Sequence, residues 1–272
     1  MSISILSDLH IDFYLHQKDP QRIKPKDVER VFEDYLDTDP EVEVLVCAGD
    51  LGHHNAQSFR VLELIASIFN YKKIFVVAGN HDRYSTSKLT MQRRIKFWQE
   101  YEDPKGIIHI LDGTVIEYKG IRFGGVGMWY DGTYLKTLGS SLPLIDFWKY
   151  TMNDSKYCHM HDFMPHFLEE QKKAFSIQKE CDVFITHMNP SISFDNQLPK
   201  YAKEASTAFY NWNGEKFLEG TTAQYVIYGH SHGAFNYTHS SGVKCYMNTM
   251  GYPSEPATWC TIDLEVETDE PT

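Results

Sequence analysis

The chain has few cysteines, none in CxxC spacing, no apolar run long enough to span a bilayer, and much less positive than negative charge. Each shortage argues against a class of protein. The five thiols, Cys47, Cys158, Cys181, Cys245 and Cys260, are odd in number and scattered, so neither a disulfide framework nor a thiolate zinc site is suggested. Buried or idle thiols are expected instead. A net charge of −11 at neutral pH speaks against holding nucleic acid by its phosphates, so no stable nucleic-acid binding is expected. The first residues, SISILSD, read as a strand rather than a basic segment followed by an apolar stretch, which makes a soluble, cytoplasmic protein with no membrane association the expectation. Repeats and low-complexity segments are missing too, apart from an acidic EVETDEPT stretch at 265–272 that is expected to fray.

What is present suffices for a core: 42% of the residues are hydrophobic. No stretch of the 272 residues resembles a linker, so one domain over 1–272 is expected, with insertions near 127–165 and 189–220. Short apolar runs at 2–7, 43–48 and 74–78 alternate with segments of helical spacing around 27–36 and 57–69, the pattern of βαβ units and a parallel sheet. A strand pair at 114–118 and 121–126 joined by the turn KG follows, then a helix near 166–179 and strands near 183–186, 225–228, 242–247 and 258–264.

The informative feature is what ends these runs. ISILSDLH delivers Asp8 and His10, VLVCAGDLG delivers Asp50, and VVAGNHD delivers Asn80, His81 and Asp82. VFITHMNP then delivers His187, and VIYGHSHG delivers His230 and His232. Because a strand alternates its side chains, the two-residue spacings Asp8/His10 and His230/His232 let both members of a pair face one centre if the extended geometry continues. Gly49, Gly79 and Gly229 are expected to let the backbone turn sharply before the polar residue. Taken singly, Asp-x-His and Gly-Asp are ordinary turn sequences, and Gly-Asn-His-Asp and Gly-His-x-His are only somewhat tighter signals. Five in one order are another matter. Imidazole, carboxylate and amide oxygen together suit Mn, Fe, Zn or Ni, whereas an all-oxygen cage for Ca or Mg is not what is offered.

In SDLH, AGDLG, AGNHD, ITHMNPS and YGHSH the chain resembles the calcineurin-like metallophosphoesterases, over the span from Asp8 to His232, and GGVGMWYDG is similar to a Gly-rich, Trp-containing segment of small bacterial and phage-type members. The resemblance implies an α/β fold, a four-layer α/β/β/α sandwich, with two divalent or trivalent metal ions at the C-terminal ends of the strands. It implies Asp8, His10 and His232 as ligands of the first ion, Asn80, His187 and His230 as ligands of the second, and Asp50 as the bridge. A shared water acidified by the two ions would attack phosphorus in line. His81 would be the donor of a proton or hydrogen bond to the leaving group or transition state.

The sequence departs from the protein phosphatase branch of that family. His53 and His54 in GDLGHH stand where that branch has the Asp that orients its histidine and the Arg that clamps the phosphate. Orientation of His81 is then expected from Asp82 or a backbone carbonyl. His53 and His54 either line the pocket or form an exposed pair at a helix start. Arg83 either reaches a phosphate oxygen or makes a salt bridge, and His159, His161 and His166 read as a solvated loop before a helix rather than a metal cluster. The aromatics of the two insertions, among them Trp129, Tyr130, Trp148, Tyr157 and Tyr210, either stack on a nucleobase or pack onto the core. The expected substrate is a small phosphodiester, a nucleotide being one candidate. A phosphomonoesterase, a nuclease and a metal-dependent protein-binding scaffold are the alternatives.

Overall fold

The computed structural model describes residues 1–85, 89–255 and 260–265. Its strands are β1 (Ser2–Ile5), β2 (Val44–Cys47), β3 (Lys73–Val76), β4 (Ile108–Ile110), β5 (Thr114–Tyr118), β6 (Ile121–Val126), β7 (Val183–Thr186), β8 (Tyr225–Tyr228), β9 (Ala234–Thr238), β10 (Lys244–Asn248) and β11 (Cys260–Asp263). They form two sheets, ordered β11-β1-β2-β3-β4 and β5-β6-β7-β8-β10-β9. Strands β1 to β4 are parallel, with β11 antiparallel at the edge. In the second sheet β6, β7, β8 and β10 are parallel, and β5 and β9 are antiparallel edges.

Three apolar layers separate four layers of structure. Val44 and Val46 of β2 point between the sheets, where they join Phe75, Phe123, Ile185 and Ile227. Leu45 and Cys47, on the other face, pack on the helices Pro25–Phe32 and Asn55–Ile68 through Phe32, Phe59 and Leu62. Phe184, Val226 and Met247 do the same on the far side of the second sheet, against Phe167, Ala174 and Phe217 of the helices Met164–Ser176 and Glu215–Gly220. Burial on both faces is why the central strands read as unbroken apolar runs, and it makes the arrangement the expected α/β/β/α sandwich.

The strand pair at 114–118 and 121–126 forms as expected, but β4 and β9 had no sequence signal. Strand β4 has only three residues, too few for a period, and β9 is an exposed edge that follows GHSHG directly. The expected strand at 258–264 is β11, with 256–259 outside the described residues, as are 266–272 of the acidic stretch. Among the described residues no helix is long and apolar enough to cross a membrane. All five cysteines are free, four of them buried.

Arg83 makes a salt bridge, and it is a buried one. Its guanidinium donates to Glu170 Oε2 at 2.8 Å and to the ring of His166, and lies over the Trp129 ring. Lys173 donates to the other oxygen of Glu170 at 2.9 Å and to Asp112 at 2.8 Å. Burial pushes the Glu170 carboxyl up, but the Arg83 and Lys173 charges outweigh it and bring it from 4.5 down to about 2. Its stabilising contribution is therefore whole above about pH 4.5 and is lost as the pH falls through about 2. Replacing Glu170 with Gln should lower the unfolding free energy at pH 7 by about 3–5 kcal/mol, because Arg83 is left buried without its carboxylate. Urea titrations of the two proteins should show that deficit shrinking below pH 4.5.

Candidate metal centre

Each strand that ends at the site hands its side chain to the same place. Asp8 N donates to Gly49 O at 2.9 Å and His10 N to Asp50 O at 3.1 Å, so the loop after β1 runs beside the loop after β2. The second sheet closes on the same loop: Asn248 Nδ2 donates to Ile5 O at 2.9 Å, Met250 N to Ser7 O at 2.8 Å and Gly251 N to Asp8 O at 3.0 Å. The carboxylates are held by backbone as well. His81 N donates to Asp50 Oδ1 at 2.8 Å, and His230 N to Asp8 Oδ2 at 3.0 Å.

Of the three glycines expected to turn the chain, only Gly49 has a positive φ, at 95°. The other two are required by crowding instead. A Cβ on Gly79 would overlap Asp50 Oδ1, and one on Gly229 would overlap Ser7 Oγ and Asp8.

The seven candidate ligands converge. Asp8, His10 and His232 have donor atoms within 4.8 Å of one another, as do Asp50, His187 and His230, and as do His10, Asp50 and His81. His10 Nε2 is 3.0 Å from His232 Nε2, and His187 Nε2 is 3.1 Å from both His230 Nδ1 and Asn80 Oδ1. Asp50 lies between the groups, Oδ1 3.4 Å from His187 and Oδ2 4.0 Å from His10 and from His81.

The hydrogen bonds on the far side of each ring fix what faces inward. His187 Nδ1–H donates to Ala48 O at 2.7 Å, His230 Nε2–H to Phe209 O at 3.1 Å, and His232 Nδ1–H to Glu255 Oε2 at 2.6 Å. Their inner nitrogens then carry lone pairs toward the centre. Two lone pairs 3.1 Å apart, as on neutral His187 and His230, repel unless a proton or a metal ion lies between them. Donors on one tetrahedral ion lie roughly 3.4 Å apart, so the residues fit a metal. Asn80 is oriented likewise: its amide donates to Tyr84 Oη at 3.1 Å and Asp154 Oδ1 at 2.9 Å, which leaves Oδ1 facing His187. His10 is the exception, with a buried Nδ1 that has no hydrogen-bond partner and a ring stacked on Tyr252 at 4.5 Å.

His81 lies at the edge of this cluster, but Asp82 does not touch its ring. The Asp82 carboxylate accepts from Gly79 N at 2.8 Å and Gly52 N at 3.2 Å, so it ties the loops after β3 and β2 together. Burial, with the Asp50 charge beside it, pushes that carboxyl up to about 7. The ring of His81 meets His53 instead, Nδ1 to Nε2 at 2.9 Å. His159 and His161 are exposed and His166 belongs to the Arg83 network, so these three form no cluster of their own.

Tyr84, Asp154, Tyr252, Glu255 and Asp12 escaped the sequence reading. None lies in a recognisable motif, and Glu255 and Tyr252 follow the last one by some twenty residues. Two cavities adjoin at His81. One, of about 270 Å³, is lined by Asp50, Asn80, His81, Tyr201, Tyr210 and His232 among others. The second, of about 360 Å³, is walled by Phe13, His53, His54, His81, Tyr157 and Tyr252 among others. No Lys or Arg lines either among the described residues. Trp129, Tyr130, Tyr134, Trp148 and Trp212 are buried in the core, Tyr157, Tyr201 and Tyr210 line the cavities, and Tyr150 is exposed.

The family model for calcineurin-like phosphoesterases matches residues 1–234. Among curated proteins none matches significantly. Among solved structures the chain is similar to a phosphopantetheinyl hydrolase from Mycobacterium tuberculosis, with a TM-score of 0.67 and 15% identity over 100% of this chain and 98% of the other, a likeness of fold. A dimetal phosphatase from Danio rerio aligns with a TM-score of 0.49 and 14% identity over 96% of this chain and 91% of the other.

The donor geometry has a thermal consequence. Mn or Zn added to chelator-stripped protein at a hundred times its Kd should add about 2.7 kcal/mol of stability. The unfolding midpoint should rise by roughly 5–10 °C for a chain of this size. Asp50→Asn, or Gly79→Ala, which displaces Asp50, should remove most of the rise in a calorimetric scan.

Proposed function

The chain belongs to the calcineurin-like phosphoesterase family, and from that premise we propose that it is a binuclear metal-dependent phosphoesterase hydrolysing a small phosphodiester, with nucleotides the leading substrate class. Asp8, His10 and His232 hold one ion in this reading, Asn80, His187 and His230 the other, and Asp50 lies between. When bound, such ions neutralise phosphate charge and acidify water for attack on phosphorus.

The observation that carries the diester preference is the set of cavity walls. A phosphomonoester brings two negative charges and a diester one, and no Lys or Arg among the described lining residues meets the second. Arg83, the nearest candidate in sequence, is turned away and paired with Glu170. The acidic side chains Glu255 and Asp12 lie close behind the histidines, which opposes a further anion. The same absence, with a net charge of −11, weighs against a nuclease.

His81 supplies the rest of the chemistry. It stands where the two cavities meet, so a phosphate in the smaller one puts its leaving oxygen next to the ring and its leaving group in the larger one. Phe13, Tyr157 and Tyr252 give that second cavity aromatic walls suited to a planar ring, which supports the nucleotide reading.

The test is turnover of bis-4-nitrophenyl phosphate and 4-nitrophenyl phosphate by protein reloaded with Mn. The diester should be cleaved at least about tenfold faster, and Asp50→Asn and His81→Ala should each lose about 10²-fold or more. Preference for the monoester would make the protein a phosphomonoesterase. Two ions bound with neither ester cleaved would make it a binding module.

A further inference from the structure

We infer that His53, backed by Asp12, is the positioning residue for His81, a role that rests on the phosphoesterase reading and deepens it. The geometry is a chain of three groups. Asp12 Oδ2 lies 3.0 Å from His53 Nδ1, and His53 Nε2 lies 2.9 Å from His81 Nδ1. The two rings are within 11° of parallel, with centroids 4.9 Å apart. A carboxylate only accepts, so His53 carries its proton on Nδ1 and presents a lone pair at Nε2. That lone pair takes the Nδ1–H of His81 and leaves His81 Nε2 pointing at the cavity and at Asp50 Oδ2, 4.0 Å away.

The dyad is held rigidly. The other oxygen of Asp12 accepts from His53 N at 3.1 Å, so one carboxylate grips both the ring and the backbone of His53. A Cβ on Gly52 would fall 2.5 Å from that oxygen, at a φ of 146° that favours glycine. Behind it, the buried Arg94 donates to the carbonyls of His53 and Gly52 and, at 2.8 Å, to the carbonyl of Asp82. Together with the Asp82 carboxylate on Gly52 and Gly79, this sets the spacing between the loops that carry His53 and His81. The His81 ring also stacks on Tyr84, with centroids 4.5 Å apart.

The consequence for the reaction is specific. With its Nδ1–H held by His53, the neutral His81 ring has its lone pair at Nε2, which takes up the proton released when water adds to phosphorus. As the P–O bond breaks, its electron pair goes to the leaving oxygen, which takes that proton from Nε2 and returns His81 to its starting tautomer. A ring free to rotate would present Nε2 to the leaving oxygen only part of the time. The dyad therefore matters in proportion to the leaving group's need for a proton.

The test compares a diester with a 4-nitrophenolate leaving group and one with the poorer leaving group phenolate, in protein loaded with Zn. His53→Ala should lose about 10²-fold in kcat on the phenyl ester and under about tenfold on the nitrophenyl ester. His53→Gln, whose side-chain oxygen can accept from His81 Nδ1–H, should recover to within about tenfold. A readout independent of turnover is the ring N–H resonance of His81 in protein labelled with 15N-histidine, identified by its loss in His81→Gln. It should persist in His53→Gln and vanish in His53→Ala. Equal losses on the two esters, failure of Gln to rescue, or an unchanged resonance in His53→Ala would overturn the positioning role. Turnover of neither ester by the unaltered protein would instead overturn the phosphoesterase reading on which it rests.

Discussion

The site depends on backbone that L residues ordinarily avoid. Asp8, His10, Asp50, His230 and His232 all lie in the left-handed region, with φ of 52°, 39°, 55°, 70° and 40°. Each such residue costs of order 1–3 kcal/mol and persists only where its surroundings hold it. The hydrogen bonds between the loops after β1 and β2, and from His230 N to Asp8, do so here. A strand that continued straight would carry its polar residue past the centre. A turn into the left-handed region aims it inward, and five such turns at the ends of two sheets bring the donors into neighbouring groups that could each hold an ion.

That geometry explains how much of the molecule was legible in its sequence. The central strands announce themselves because burial on both faces demands unbroken apolar runs, and the donors because they end those runs. Seven candidate ligands and His81 therefore came from local pattern alone. The residues around them did not, because a hydrogen-bond partner is chosen by the fold and can come from anywhere in the chain. Glu255 meets His232 from across β9 and β10, and Asp154 reaches Asn80 from inside an insertion. Asp82 was the natural local choice to orient His81, yet backbone amides of Gly79 and Gly52 take its carboxylate. The glycine signal was sound in position and incomplete in reason, since Gly79 and Gly229 make room for carboxylates rather than turn the chain.

The charges are segregated. Acidic groups gather behind the imidazoles, and the arginines nearest the site are occupied elsewhere, Arg83 with Glu170 and Arg94 with three carbonyls. Net negative surroundings favour a bound cation and disfavour any substrate with charge to spare. One insertion takes part in this order. Asp154, buried and pushed up to about 6 by that burial, anchors the amide of Asn80, while Tyr157 nearby faces the second cavity.

The pairing of residues 248–251 with residues 5–8 bears on the order of events during synthesis. Every candidate donor has emerged from the ribosome once residue 232 has, but β10 and the amides of Met250 and Gly251 have not. Until they arrive, the loop bearing Asp8 and His10 lacks its partners in the second sheet, and Glu255 is not yet present to set the tautomer of His232. The nascent chain thus displays all its donors before it has the frame that spaces them. An ion met at that stage finds a loose set of ligands, whose preference follows intrinsic affinity. Selection among ions by geometry begins only once residues 248–255 have joined the site.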